Sequence, residues 1–241
     1  MARLLRLVST SQGNSTYRPG KRMSHELTLF GIGTSRTMRA HWILLELGLD
    51  YESRRIESRT GETLTDEFRR LNPRHKIPVL QHGSFVLTES AAIVEYLSER
   101  FGDPAKLYAP SDEKARATLN EWCYFIMTEL DAASLYVMRR HEGLASIYGE
   151  APAAVDSAKA YFLHNIEAMT PRIAKARYLL GELLSTADIL LMTCLDWASA
   201  AGIALPQETL DYRQTMAQRP AYQEALKRNF PSRTKLTVSS E

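Results

Sequence analysis

Hydrophobic and polar positions divide the chain into two parts with different periodicities. Up to about residue 101, runs in which apolar residues alternate, as in strands, are interspersed with runs in which they recur every three or four positions, as in helices. Turn residues such as Gly48 and Gly83 separate these runs. The pattern predicts strand, helix, strand, helix, strand, strand and helix, in that order, over residues 26–30, 35–47, 51–56, 65–71, 77–80, 84–87 and 90–101.

The second part of the chain shows helical patterns and no convincing strand. Ser185 and Asp188 stand where a capping box would open an apolar helix. The element order of the first part resembles the thioredoxin fold. We therefore predict an α/β plus all-α protein, with an N-terminal thioredoxin-like domain followed by a C-terminal helical bundle. The helices of the second part are expected over residues 112–141, 153–168, 189–198 and 220–230, with the start of another at 171–176.

The domain boundaries follow from changes in this pattern. We expect a disordered tail or leader over residues 1–25, a thioredoxin-like domain over 26–103, a linker over 104–110, an all-helical domain over 111–230 and a C-terminal tail over 231–241. The first 24 residues contain several Arg, Ser and Thr residues and no acidic residue. This composition fits an organelle transit peptide, a disordered tail, or a protein whose working start is Met23.

Composition narrows the classes of function. A net charge of +2, with 24% charged residues, gives no reason to expect nucleic acid or an acidic membrane surface as a partner. Cys123 and Cys194 lie far apart in apolar segments, so we predict core residues and not a disulfide or a metal site. This use of cysteine favours a reducing compartment, and we predict a cytoplasmic location. No apolar run approaches the roughly 20 residues that span a bilayer.

Residues 72–97 contain the most informative chemistry. Pro78 has no N–H to donate to a neighbouring strand, so its strand belongs at an edge or begins there. The Ile77–Pro78 bond is also a place where a cis peptide costs little. Glu89 and Ser90 follow at the start of a helix. An edge strand beside such a helix N-terminus is suited to binding a small peptide.

Three motifs in register resemble the cytosolic glutathione transferase family, over essentially all of residues 26–230. They are Asn-Pro-x-His-x-Ile-Pro-Val-Leu at 72–80, Glu-Ser-Ala-Ala-Ile at 89–93, and Ser-x-x-Asp at 185–188. The loop before the first helix resembles the serine type found in bacterial members. The resemblance implies the two-domain fold described above, a detoxifying role, glutathione as co-substrate, no metal, and a symmetric homodimer.

The resemblance also implies how glutathione would be bound. Ile77, preceding Pro78, would pair its backbone with the cysteinyl part of the tripeptide. Glu89 and Ser90 would bind the γ-glutamyl end, assisted by the helix dipole. His75 or Lys76 would bind the glycyl carboxylate, and the sequence leaves the choice between them open. Each of these residues also has an ordinary structural interpretation, as a strand start, a helix cap or a solvated charge.

Activation of the glutathione thiol requires a group from outside this segment. Ser35, at the N-terminus of the first helix, is our first candidate for the hydroxyl that donates to the thiolate, and Thr34 is the second. The alternative is that both are only helix caps, and that backbone N–H groups stabilise the thiolate. Arg36 is interpreted as a surface or domain-bridging charge.

The second substrate is expected to be a small hydrophobic electrophile that binds between the domains. Tyr124, Thr128 and Glu129 on the long helix are the predicted wall of its pocket, with Tyr124 and Glu129 facing glutathione, conceivably from a neighbouring subunit. Ordinary helix packing and a solvated charge are the alternatives for these two residues. The predicted function is conjugation of glutathione to the electrophile. Two other functions stay open, a glutathione-dependent disulfide reductase or peroxidase and a non-catalytic binding module.

Overall fold

A computed structural model describes residues 26–231 of the 241-residue chain. The tail or leader predicted over residues 1–25, and residues 232–241 of the predicted C-terminal tail, lie outside the described residues.

The N-terminal part folds as a four-stranded sheet with helices. Its elements are β1 (Leu27–Phe30), α1 (Ser35–Glu46), β2 (Glu52–Arg54), a 3₁₀ turn (Glu62–Leu64), α2 (Asp66–Leu71), β3 (Val79–His82), β4 (Phe85–Thr88) and α3 (Ser90–Phe101). The strand order is β2-β1-β3-β4, in which β1 and β2 are parallel and the other two pairs are antiparallel. The helix α1 connects the two parallel strands, as a parallel pair requires. This arrangement confirms the predicted thioredoxin-like domain.

The C-terminal part of the described chain consists of helices joined by turns, with two isolated β-bridges, Leu107 to Leu184 and Tyr178 to Gly181. Its helices are α4 (Glu113–Phe125), α5 (Tyr136–Met138), α6 (Ala145–Tyr148), α7 (Pro152–Ile173), α8 (Thr186–Ala200), α9 (Gln207–Ala217) and α10 (Pro220–Asn229). Two π-helical segments, Ile126–Leu135 and Arg139–Gly143, join α4 to α5 and α5 to α6. The fold class predicted from the sequence is therefore confirmed, while the domain boundaries stay predictions.

The apolar helix α8 is the centre of the helical part. Its residues from Thr186 to Leu195 are all buried. Ser185 and Asp188 form the predicted capping box, and the Asp188 carboxylate also accepts hydrogen bonds from the Leu179 N–H at 2.8 Å and the Tyr212 hydroxyl at 2.6 Å. Buried residues of both parts join in one continuous hydrophobic core.

Three details of the helical prediction were wrong. The helix expected over 112–141 is regular only over Glu113–Phe125 and then widens into π-helical turns. The segments 153–168 and 171–176 belong to the single helix α7, which continues through Pro171 to Ile173 although the proline removes one hydrogen bond to the preceding turn. Helix α9 was not predicted, since its buried residues Thr209, Tyr212 and Met216 make a narrow and partly polar stripe.

Candidate functional site

The candidate site is a cleft of about 1540 Å³ that both parts of the chain line. The N-terminal part contributes the start of α1, the loop that leads to α2, and the loop before β3. The helical part contributes the α5–α6 region and residues from α8, α9 and α10. Ser35, Thr34, His75, Lys76 and Ile77 all line this cleft, so five of the predicted site residues share one cavity.

The two candidate hydroxyls occupy different positions at the N-terminus of α1. Thr34 is the N-cap residue, and its hydroxyl oxygen accepts a hydrogen bond from the Thr37 N–H at 3.0 Å. Thr37 completes a capping box, because its hydroxyl oxygen accepts from the Thr34 N–H at 3.0 Å. Ser35, the first residue of the helix, makes no hydrogen bond within residues 26–231 through its hydroxyl. The cap therefore engages Thr34 and leaves the Ser35 hydroxyl available to a ligand.

Asn229, a buried residue at the end of α10, holds the loop before α1. Its backbone oxygen accepts from the Gly33 N–H at 2.8 Å, and its side-chain oxygen accepts from the Thr37 hydroxyl at 2.7 Å. Its side-chain nitrogen donates to the Thr34 carbonyl oxygen at 2.9 Å. The N-terminus of α1, which presents both candidate hydroxyls, is therefore fixed by a residue almost 200 positions later in the chain.

The strand side of the cleft begins with a cis peptide bond between Ile77 and Pro78. Gly31 lies directly behind it, and a Cβ atom at Gly31 would approach the Ile77 Cβ to 2.7 Å. Only glycine fits this close approach, which also has a positive φ of 121°. Pro78 is buried and Ile77 lines the cleft, and the pairing of the Ile77 backbone with a cysteinyl group stays a prediction.

The loop before β3 presents His75 and Lys76 to the cleft. His75 has a positive φ of 56°, and its Nδ1 lies 2.8 Å from the Thr63 carbonyl oxygen. The buried Asn72 side chain stabilises the loop, because it donates to the Lys76 carbonyl oxygen at 2.8 Å and accepts from the Arg74 N–H at 3.1 Å. The Lys76 side chain is exposed. Both residues can reach an anion, and the choice between them stays a prediction.

Glu89 and Ser90 lie at the start of α3, as predicted, but differ in exposure. Glu89 has a positive φ of 70°, which is strained for a residue with a side chain, and its exposed carboxylate pairs with Arg74 at 3.1 Å. Ser90 is buried, and its hydroxyl oxygen accepts from the Arg39 guanidinium at 3.1 Å. Neither residue is part of the cleft lining. Their binding of the γ-glutamyl group stays a prediction.

A buried charge network crosses between the two parts of the chain behind the cleft. Asp131 accepts from Arg39 at 2.8 Å and pairs with Arg36, whose guanidinium also lies 4.6 Å from the centre of the Tyr136 ring. Arg39 further donates to the Thr193 hydroxyl at 2.7 Å. Arg36 thus bridges the domains, one of the two interpretations given above.

Tyr124, Thr128 and Glu129 do not line the cleft of their own chain. Tyr124 is 65% exposed, the Thr128 hydroxyl donates to the Tyr124 carbonyl oxygen at 2.9 Å, and Glu129 accepts from the Tyr161 hydroxyl at 2.5 Å. These side chains belong to the outer surface, because the chain enters the cleft only after the π-helical turns. The role of these three residues as a pocket wall therefore stays a prediction, and within this chain they do not line the cleft.

In this chain the cleft is lined by residues further along the same region, namely Tyr136, Met138, Arg139, Ile147 and Tyr148. The change of helical pitch was not visible in the sequence. The sequence also did not indicate that Arg39, Asp131 and Asn229 are buried beside the cleft. Charged and amide residues are mostly exposed in proteins, so their residue type does not predict burial.

The cysteines and the possible metal ligands of the described residues lie outside the cleft or apart from one another. Cys123 and Cys194 are buried and free, and burial raises the pKa of each thiol to about 12. Within residues 26–231, no cluster of three or more His, Cys, Asp or Glu side chains is arranged to hold a metal ion. No helix in that range is long and apolar enough to cross a membrane.

Comparisons with known proteins agree with this architecture. Residues 25–99 match the model of the glutathione S-transferase N-terminal domain, and residues 125–220 match that of the C-terminal domain. Glutathione S-transferase theta-3 of Mus musculus is 30% identical over 182 residues, which cover 70% of this chain and 71% of that protein. Glutathione S-transferase D7 of Drosophila melanogaster is 43% identical over 91 residues, which cover 37% of this chain and only 41% of that protein.

A solved structure gives the same result in three dimensions. The theta class glutathione S-transferase of Xanthomonas axonopodis pv. citri, with glutathione bound, superposes with a TM-score of 0.70 and 26% identity, over 83% of this chain and 96% of that one. Both domain models match in chain order, and the fold agrees with a solved member. The chain belongs to the glutathione S-transferase family.

Proposed function

We propose that this protein conjugates glutathione to a small electrophile, with the Ser35 hydroxyl stabilising the glutathione thiolate. The observation that carries the proposal is the Ser35 hydroxyl, which has no partner within the described residues and faces the same cleft as the Ile77 backbone. A cysteinyl moiety paired with Ile77 would bring its sulfur toward the N-terminus of α1. A hydroxyl and the helix dipole both favour negative charge on sulfur there.

The remaining predicted residues bind the other parts of the tripeptide. Glu89 supplies a counter-charge for the γ-glutamyl amine, and the N-terminus of α3 at Ser90 supplies donors for its carboxylate. His75 or Lys76 binds the glycyl carboxylate. The Xanthomonas relative was solved with glutathione bound, which supports the same co-substrate here. In the reaction the thiol proton passes to solvent, a carbon–sulfur bond forms at the electrophile, and the leaving group departs with its electron pair.

The experiment compares Ser35→Ala and Thr34→Ala with the wild type in two assays, conjugation of 1-chloro-2,4-dinitrobenzene and reduction of a mixed glutathione disulfide. We expect Ser35→Ala to lower kcat/KM for conjugation by roughly 10²-fold, the scale of one lost donor to a developing or stabilised anion. Thr34→Ala serves as the matched hydroxyl deletion. It should act mainly on stability, costing about 1 kcal/mol as a helix cap.

Three results would contradict parts of the proposal. Unchanged conjugation in Ser35→Ala would remove its hydroxyl from the mechanism, and with it the serine-type assignment of the loop. Disulfide turnover without conjugation would replace the transferase by a reductase. Binding to immobilised glutathione with neither activity would indicate a binding module.

We also propose a cytoplasmic homodimer with a detoxifying role. The two free cysteines support a reducing compartment. The exposed Tyr124 ring supports a surface in which Tyr124, Thr128 and Glu129 face a partner subunit. Light scattering after size exclusion tests the assembly, which should have twice the chain mass of 27.3 kDa. A species of single-chain mass at micromolar concentration would contradict it.

A further inference from the structure

The cleft carries more positive charge than its carboxylates neutralise. Of the cations that line it, Arg36 pairs with Asp131 and Arg213 pairs with Asp196. Four further cations of the lining have no carboxylate partner within residues 26–231, namely Arg59, Lys76, Arg139 and Lys227. Glu142 also lines the cleft, but its carboxylate is engaged by Lys159 at 3.2 Å.

Three of the lining residues form what we call the arginine cluster: Arg59, Arg139 and Tyr148. Arg59 lies beside the Tyr148 hydroxyl, and this contact, with the charges of Lys76 and Arg140, lowers the pKa of Tyr148. Burial and the nearby charge of Arg59 lower the pKa of Arg139. Arg59 and Arg139 both line the cleft, and neither has a carboxylate partner within residues 26–231, so an anion bound there would supply the missing counter-charge.

Exposed apolar side chains line the same cleft as the arginine cluster. Leu64 and Ile147 both belong to its lining and are exposed by 57% and 58%. A cleft that combines exposed large aliphatic side chains with guanidinium groups that have no carboxylate partner suits a ligand with an apolar body and an acidic substituent.

We propose that the second substrate is an electrophile that carries an anionic group, a carboxylate being the chemistry that fits, bound by Arg59 and Arg139 with the Tyr148 hydroxyl as a third donor. The inference rests on the proposed function. In the proposed function glutathione is bound by Glu89, Ser90 and the His75–Lys76 loop, which leaves the arginine cluster for the second substrate.

The test uses two electrophiles that share a reacting carbon, 4-chloro-3-nitrobenzoate and the neutral 4-chloro-3-nitrobenzamide. Attack by the thiolate forms the carbon–sulfur bond and releases chloride from either compound. We expect Arg139→Gln and Arg59→Gln to lower kcat/KM for the benzoate about tenfold or more, as the loss of a charge-assisted contact predicts. Turnover of the benzamide and the KM for glutathione should change less than about twofold. Arg100→Gln, on α3 and outside the cleft lining, is the matched control.

Two kinetic outcomes would overturn the inference. An equal loss with both electrophiles would mean that the arginine cluster only stabilises the thiolate. A higher KM for glutathione, with no discrimination between the electrophiles, would mean that the arginine cluster binds the glycyl carboxylate.

Calorimetric binding in the presence of S-methylglutathione, which fills the glutathione site without a thiol, separates this inference from the proposed function. Tighter binding of the benzoate than of the benzamide by the wild type, with this difference lost in Arg139→Gln, would support the inference whether or not the compounds turn over. Absence of turnover would count against the proposed function and not against the binding of the anionic group. Equal binding of the two compounds by the wild type would overturn the inference.

Discussion

At the scale of single residues, His41 makes the stability of the fold depend on pH. Its ring is fully buried in α1, 3.1 Å from the Gly31 carbonyl oxygen and 2.7 Å from the Tyr51 hydroxyl. Burial lowers its pKa from 6.5 to about 4, against the opposing effect of the hydrogen bond to Gly31. The folded protein therefore holds His41 neutral at a pH where the unfolded chain binds a proton.

The sign of the effect follows from this difference. A group whose pKa is lower in the folded state contributes stability that is complete above the unfolded pKa and is lost as the pH falls. Between pH 7 and pH 4 we expect His41 to account for a loss of about 2–3 kcal/mol in the free energy of unfolding, at roughly 1.4 kcal/mol per pKa unit. Urea unfolding of His41→Gln should show a pH dependence flatter by that amount. His164→Gln, at an exposed position on α7, should keep the wild-type slope, and equal slopes in all three proteins would contradict the prediction.

At the scale of elements, α10 acts on the start of α1 through Asn229. The variant Asn229→Ala removes the acceptor of the Thr37 hydroxyl and the donor to the Thr34 carbonyl oxygen. We expect the free energy of unfolding to fall by about 2–3 kcal/mol, because buried polar groups lose their partners. We also expect kcat/KM for conjugation to fall about tenfold, since Ser35 begins the helix whose N-terminus is released.

The two effects on this element can be separated. Activity is measured well below the unfolding midpoint, where the variant is fully folded. The control is Asn165→Ala, a half-buried residue of α7 whose side chain donates to the Tyr161 carbonyl oxygen of the same helix. Reduced stability with wild-type kcat/KM would show that Asn229 supports the fold and does not position the loop.

The same loop shows what local sequence can and cannot predict. Thr34 as a cap and Ser185 with Asp188 as a capping box follow from residues within one helical turn, and the structure contains both caps. The partnership of Thr34 with Asn229 joins positions 195 residues apart, and no local pattern encodes it. In the same way, the local motif at residues 72–80 was enough to predict a strand at Ile77–Pro78, where the peptide bond is cis. No local motif indicated that Tyr148 would line the cleft.

At the scale of the whole molecule, the buried pair Arg39 and Asp131 connects the thioredoxin-like part with the helical part. Burial acts to raise the pKa of the Asp131 carboxyl, but the charge of Arg39 and the hydrogen bond from Arg36 outweigh it and lower this pKa. The carboxylate is therefore ionised, and both guanidinium groups depend on it for counter-charge. Well-packed apolar residues can stabilise an interface between domains as much as a buried ion pair does, so the contribution of this pair to stability needs a direct test.

The variant Asp131→Asn keeps the shape of the side chain and removes its charge. We expect it to lower the free energy of unfolding by about 3–5 kcal/mol, because a fully buried Arg39 then lacks a counter-ion. The double variant Arg39→Met with Asp131→Leu should regain part of that loss, since it removes the fully buried guanidinium and leaves only the partly exposed Arg36 without its partner. Asp156→Asn, an exposed residue on α7, should change stability by less than about 0.5 kcal/mol. If Asp131→Asn were as mild as this control, or the double variant worse than the single one, the two parts would be held together mainly by their shared apolar core.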